Sequence, residues 1–246
     1  MPATTVEPHA SNTAANSLGM SFTGHRKALV QRVSGARDEI DVPSNAAFVT
    51  GGEAFSWVRV GEPYEGVEIT LSPALIAEMA REHGVSAANP LGDLVMASDP
   101  VFWAAAIRLR AHALGVNMLS DLEAEAIGRR MLGHIICERF GGRTRRRNAR
   151  PLDRTRLGRV TGHIDTHLGE RLSVSALAAT ASMSVNHFHL AFRQATGLTP
   201  HEFVTARRVE RAQALLRSGR TRAQVARTVG YTAGHAFRRA LKRFGG

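Results

Sequence analysis

Between Ser173 and Phe244 the chain repeats one pattern twice, and that repeat constrains its fold more than any other feature. Each copy opens with a short helix-prone run carrying a small alanine, Ala178 in the first and Ala226 in the second. A turn of three to four residues follows, and a second run then begins on a hydroxyl residue suited to cap a helix, Ser184 or Thr232. The alanine lets the second helix cross the first closely, and the short turn holds the pair at a steep angle. This is the layout of a helix-turn-helix. A single copy is weak evidence, because alanine-rich helices are common; two copies joined by a long helix are much stronger.

The surrounding signals agree with an all-helical segment. Leu157, Val160, Ile164 and Leu168 recur at the spacing of one helix face. Ser173 caps a short helix bearing Val174, Leu177 and Ala178, and Gly197 closes the helix that carries Phe188, Phe192 and Ala195. Thr199-Pro200-His201-Glu202 joins a capping box to a proline at the first helical position, a strong start for a long helix through Val209, Leu215 and Leu216 that Gly219 closes. Thr221 and Gln224 form a second capping box. Phe237, Ala240, Leu241 and Phe244 give the last helix its apolar side.

Charge separates this segment from the rest. The chain carries a net charge of +11 from 32 Lys/Arg and 21 Asp/Glu. Residues 1–150 hold 16 basic against 16 acidic groups, whereas residues 151–246 hold 16 against 5, and 15 of those 16 are arginine. The whole excess therefore lies on the second part, where the planar guanidinium suits phosphate and guanine edges. A basic domain joined to a neutral one predicts a polyanionic partner.

The stretches LSVSALAATASMSVNHFHLAFRQATGLTPHEFVTARRVERAQALLRSGR and QVARTVGYTAGHAFRRALKRFGG resemble the DNA-binding domain of the AraC/XylS family of bacterial transcription regulators. The resemblance runs through about the last ninety residues and includes both helix-turn-helix units. It implies a seven-helix domain whose two recognition helices enter successive major grooves of double-stranded DNA, ~34 Å apart. The chain departs from the family at Leu190, where a polar or basic reader is usual, and at Gly234, which has no side chain. It also stops at Gly246, without the short proline-containing final helix of relatives.

Burying Phe188, Phe192 and Ala195 leaves Asn186, His189, Leu190 and Arg193 on the opposite face of the first recognition helix. Asn186 suits adenine, Arg193 guanine or phosphate, and Leu190 a thymine methyl. In the second, His235, Arg238, Arg239 and Lys242 form the open face. Arg239 stands where the resemblance implies an arginine base reader. Base reading is thus expected from Asn186, His189, Leu190, Arg193, His235, Arg238 and Arg239. Phosphate contacts are expected from Ser184, Arg207, Arg208, Arg211, Thr232 and Lys242, the hydroxyl residues acting through the amides at their helix caps.

The first part reads differently. Residues 1–44 are polar, without sustained periodicity, and are expected to form a disordered leader, with a short ordered piece near residues 28–33. Phe48-Val49, the run from Phe55 to Val60 and the run from Val67 to Leu71 are β-prone and separated by glycine-rich turns. Ser72-Pro73 and Asp99-Pro100 open helices, and Ser120 caps another whose stripe includes Ile127, Met131, Leu132, Ile135, Ile136 and Phe140. Against the family these segments resemble the last strands of a β-barrel sensor, a cupin remnant, followed by dimerising helices. About three strands cannot close a barrel around a ligand.

The overall expectation is an α+β chain. Residues 45–140 form a reduced sensor or dimerisation domain, residues 141–152 a flexible charged linker, and residues 153–246 an all-helical DNA-binding domain with two helix-turn-helix units. The longest apolar run is the seven residues 101–107, far short of the ~20 that span a membrane. The polar amino terminus lacks the features of a signal peptide, so a cytoplasmic location is expected. Cys137 is the single cysteine, which excludes an internal disulfide and any multi-cysteine zinc site. No histidine lies between His25 and His83, which argues against a metal-dependent cupin enzyme. His163 and His167 sit on the exposed side of a core helix with no third metal ligand beside them. No catalytic residue, metal or cofactor is expected. The partners expected are DNA, RNA polymerase, and a second copy of the chain through residues 99–140, with a small-molecule effector left open. The competing expectation is a degenerate relative that pairs with an intact regulator and reads no DNA sequence; Leu190, Gly234 and the end at Gly246 motivate it.

Overall fold

Strand formation begins well before the glycine-punctuated runs. In the computed structural model, which describes residues 11–59, 65–86, 91–92, 97–142, 152–232 and 234–244, the first elements are β1 (Ser11–Thr13), β2 (Ser17–Ser21), β3 (His25–Arg32) and β4 (Arg37–Val42). The expected runs follow as β5 (Ala46–Val49), β6 (Phe55–Arg59) and β7 (Gly66–Thr70), and β8 (Ala97–Ser98) comes later. They pair antiparallel into two four-stranded sheets, in the orders β1-β6-β3-β4 and β7-β2-β5-β8.

The expectation of a disordered leader over residues 1–44 is therefore corrected for residues 11–42. The reason is that these strands are specified by partners distant in sequence. β2 is short and serine-flanked, but it lies between β5 and β7 with all five residues buried. Gly19 faces Phe48 across the pair, and a Cβ there would lie 2.2 Å from the Phe48 ring. β4 is charged and mostly exposed, as an edge strand can be, and only its pairing with β3 defines it. β3 breaks simple alternation by a register shift between His25 and Ala28, where Lys27 takes a positive φ of 52°. Ala28, Val30, Val42, Ala46 and Phe55 form one buried cluster, drawn from both sheets.

Three helices complete this part: α1 (Pro73–Glu82), α2 (Pro100–Ala113) and α3 (Asp121–Phe140). Ser72 caps α1, its Oγ accepting from the Leu75 amide at 3.2 Å. Asp99 opens α2 by accepting from the Val101 and Phe102 amides, and His134 of α3 meets its other oxygen at 2.8 Å. On α3, Ile127, Met131, Leu132 and Ile136 are buried as the stripe predicts, with Ile135 half-buried. Gly128 and Gly133 let this helix lie against Ile69 and His83. Cys137 is half-buried, and burial, with Glu138 beside it, raises the pKa of its thiol.

The second part is helical throughout: α4 (Arg154–Thr166), α5 (Val174–Thr180), α6 (Val185–Thr196), α7 (Pro200–Arg217), α8 (Arg222–Thr228) and α9 (Gly234–Phe244). Six helices are described where the resemblance implies seven. By compactness the chain divides into Met1–Ala106 with Asp121–Arg145, and Ile107–Ser120 with Arg146–Gly246. The linker reading falls mostly on residues 143–151, outside the described residues. At its end, Leu152 is buried and Asp153 caps α4, so Leu152 is already part of the folded domain. Among the described residues no helix is long and apolar enough to cross a membrane.

Candidate nucleic-acid interface

Both turn-and-helix units are built by the same local bonds. After α5, the Met183 amide donates to the Ala178 carbonyl at 3.0 Å, and Ser182 between them adopts φ 54°. After α8, the Tyr231 amide donates to the Ala226 carbonyl at 2.9 Å, and Gly230 adopts φ 80°. In each case the alanine of the first helix accepts the bond that ends it, and a left-handed residue turns the chain. Ala178 is almost wholly buried, as close helix crossing requires, and Ala226 is 9% exposed.

The two units share α7 as their spine. At its start, the Thr199 amide donates to Glu202 Oε2 at 3.0 Å while the Glu202 amide donates to Thr199 Oγ1 at 3.3 Å. The neutral counterpart at α8 pairs Thr221 with Gln224 in the same way. Phe192 of α6 meets Phe203 of α7 edge-on at 5.3 Å, and Phe188 lies 5.4 Å from Phe192. Further along, Ala212 and Leu215 of α7 join Val225 and Ala226 of α8, Val229 at its end and Phe237 of α9 in one core cluster.

These anchors decide which side chains remain outside. On α6, Phe188, Ala191 and Phe192 are buried, and Ala195 is half-buried rather than fully inward. Asn186, Leu190 and Arg193 are exposed, with Leu190 at 57%, on the side opposite Phe188. His189 is half-buried, at the edge of that face rather than within it. Val185, His187 and Gln194 are exposed beside it; periodicity could have included His187 and Gln194, which flank the named face next to Leu190. On α9, Phe237, Ala240 and Phe244 are buried while Gly234, His235, Arg238, Arg239 and Lys242 are exposed. Arg238 Nη2 lies 2.7 Å from His235 Nδ1. A guanidinium can only donate, so His235 accepts through Nδ1 in that pair. If the buried phenylalanines Phe188 and Phe237 are aligned, Leu190 and Arg239 occupy corresponding places. An apolar group thus sits where the second unit presents a cation.

The expected phosphate contacts divide into two groups. Ser184 caps α6, its Oγ accepting from the His187 amide at 3.4 Å; Thr232, Arg211 and Lys242 are exposed. Arg207 and Arg208 are different, because both are held by partners within the domain. Arg207 clasps Asp165 through Nε and Nη2, at 2.7 and 2.6 Å, and donates through Nη1 to Glu210 at 2.9 Å. Burial opposes its charged form, but the two carboxylates outweigh burial and raise its pKa. Arg208 donates to three backbone carbonyls, those of Leu168, Gly230 and Glu170, at 2.9, 3.3 and 2.6 Å. Its guanidinium also lies 5.5 Å from the Tyr231 ring centre. Burial lowers its pKa, with Tyr231 acting in the other direction. Apart from Glu210, one turn along α7, these hydrogen-bond partners lie 22 to 42 residues away, and sequence alone gave no sign of them. Arg243, absent from the expected set, pairs with Glu202 and so ties α9 to the start of α7.

Among the described residues no group of three or more His, Cys, Asp or Glu side chains is placed to hold a metal ion. His163 and His167 stack at 4.3 Å, and His167 Nδ1 bonds the His163 carbonyl at 2.8 Å, which occupies one of the two rings' nitrogens internally.

Residues 177–246 match the family model described as a helix-turn-helix domain. The probable transcriptional regulator LumQ of Photobacterium leiognathi is 27% identical over 96 residues, 39% of this chain and 39% of that protein. An uncharacterized HTH-type transcriptional regulator of Staphylococcus aureus (strain COL) is 28% identical over 138 residues, 56% of this chain. The matched segments span 39% and 18% of those two regulators' lengths. Among solved structures, the DNA-binding domain of AdpA in complex with a target DNA is 34% identical, covering 35% of this chain and 79% of that one, with a TM-score of 0.34. ToxT from Vibrio cholerae O395 is 11% identical over 97% of this chain and 93% of its own, with a TM-score of 0.35. LumQ and the Staphylococcus aureus protein are named as transcriptional regulators, and AdpA as a global transcriptional factor. The carboxy-terminal part of this chain is a helix-turn-helix domain of the AraC type, the DNA-binding domain of a family of transcription regulators.

Proposed function

We propose that the whole chain is a sequence-specific DNA-binding transcription regulator that inserts α6 and α9 into successive major grooves. The observation that carries this reading is the pairing of two turns with the same backbone bonds, each leading into a helix buried on its aromatic side and open on its polar side. Base reading falls to Asn186, Leu190 and Arg193 in one groove, with His189 at its margin. His235, Arg238 and Arg239 read the other. Phosphates are met by Arg211, Lys242, the amides capped by Ser184, and Thr232 ahead of α9. The sheet-bearing part with α1 to α3 serves as sensor and dimerisation region. Residues 99–140 supply the homodimer surface, a role supported by Leu122 at 77% exposure near the start of α3. RNA polymerase is the partner at the promoter, and the reading places the protein in the cytoplasm.

Selection of bound duplexes from a random-sequence library tests this directly. The expected product is a motif of two boxes whose centres lie about one helical turn apart. Recovery of duplexes with no shared sequence would favour the second reading, an interaction partner of an intact regulator. The exposed Leu190 and the missing side chain at Gly234 are the observations on that side.

A further inference from the structure

Arg208 lies where the two helix-turn-helix units meet. Its Nε and Nη2 reach the carbonyls of Leu168 and Glu170, in the loop that leads from α4 into the first unit. Its Nη1 reaches the carbonyl of Gly230, in the turn of the second unit. A single fork from the shared spine α7 therefore holds backbone from both units at once. The two backbones also touch. A Cβ on Gly169 would lie 2.8 Å from the Thr228 carbonyl oxygen, and one on Gly230 would lie 2.8 Å from Arg208 Nη2 and 3.0 Å from the Gly169 oxygen. Neither approach leaves room for a larger residue. Tyr231, stacked on the guanidinium and on Phe237 at 5.4 Å, connects this junction to the buried anchor of α9.

We infer that Arg208, seated in the Gly169–Gly230 junction, is a positioning residue that fixes the two recognition helices relative to each other and thereby sets the box spacing this protein accepts. The inference rests on the proposed function for its DNA consequence, though the junction itself does not. A one-base-pair change in spacing moves one box by roughly 3.4 Å along the axis and rotates it about the duplex. A rigid pair of helices cannot follow both changes, whereas a hinged pair can. Lysine cannot replace the fork, because one ammonium cannot direct three donors to carbonyls on separate strands of backbone while stacking on a ring.

The test uses the full chain with Cys137→Ser and spin labels on two exposed positions, Ala179 in α5 and Arg222 in α8. Arg208→Lys removes the fork and keeps the charge. Gly169→Ala keeps Arg208 and wedges the junction open, so the test survives a failure of either variant to fold. The parent protein is expected to give one narrow distance distribution, and both variants a broadened one. On the duplex selected from the random library, with its spacer lengthened or shortened by one base pair, the parent is expected to lose about tenfold or more in affinity and the variants less than about threefold. A distribution as narrow in the variants as in the parent overturns the inference. So does an affinity that falls equally at every spacing, which would mark Arg208 as a phosphate contact after all. Should the parent select no shared sequence, the proposed function fails, while the distance measurement still decides whether Arg208 holds the units together.

Discussion

Leu190 and Arg239 occupy corresponding places on α6 and α9, and under the proposed function they demand opposite chemistry from DNA. A leucine side chain can donate and accept nothing, and the one apolar feature a major groove offers it is the C5-methyl of thymine. Deoxyuridine in place of each thymine of the first box should therefore weaken binding at one position. Leu190→Ala should remove that difference between thymine and uracil; a difference that persists in the variant would assign the methyl to another residue. Arg239 has a bidentate fork to offer guanine. Its replacement by alanine should cost ~1–3 kcal/mol and relax preference at one base position, as read by affinity across single-base substitutions of the selected site. A uniform loss across all sequences would instead assign Arg239 to the phosphates. The same type of residue has a different fate on α7, where Arg207 and Arg208 are held by partners inside the domain. Nothing in the identity of an arginine separates these cases.

Among the elements, α7 has two ties on its first turn. Glu202 closes the capping box with Thr199 and also receives Arg243 from α9, so one carboxylate supports a helix start and a helix-to-helix tie. Burial raises its pKa, but the Thr199 bonds and Arg243 more than offset this, and the net shift is downward. A carboxylate with a lowered folded pKa contributes stability above its unfolded value and loses it as pH falls through the folded one. Glu202→Ala should thus cost about 1 kcal/mol near neutral pH, and the gap between the two melting curves should shrink as the solution is acidified below the ordinary glutamate range. A gap unchanged down to about pH 3 would show that the ionised carboxylate adds nothing to the cap. The Thr221–Gln224 box carries no charge, so Gln224→Ala should show a penalty independent of pH over the same interval.

At the scale of the molecule, the basic second part should make binding steeply dependent on salt. Each phosphate neutralised contributes a slope of about −0.9 to the logarithmic plot of affinity against salt. Arg211→Ala should lower that slope by about one, and Arg207→Ala should leave it unchanged while reducing stability, because the Arg207 guanidinium already faces Asp165 and Glu210. Equal slopes for Arg211→Ala and the parent would remove Arg211 from the interface. What the sequence by itself determined is the helical part: the caps at Ser173, Ser184, Thr199 and Thr221, the buried faces of α6 and α9, and the two turns. Those features rest on bonds and spacings within a few residues, so each is written in the segment it shapes. The strands from Ser11 to Val42, the buried Gly19 against Phe48, and the roles of Arg207 and Arg208 were decided only by the tertiary structure. A strand acquires its register, and a long cationic side chain its partner, from groups tens of residues away that chain folding alone brings within hydrogen-bond distance.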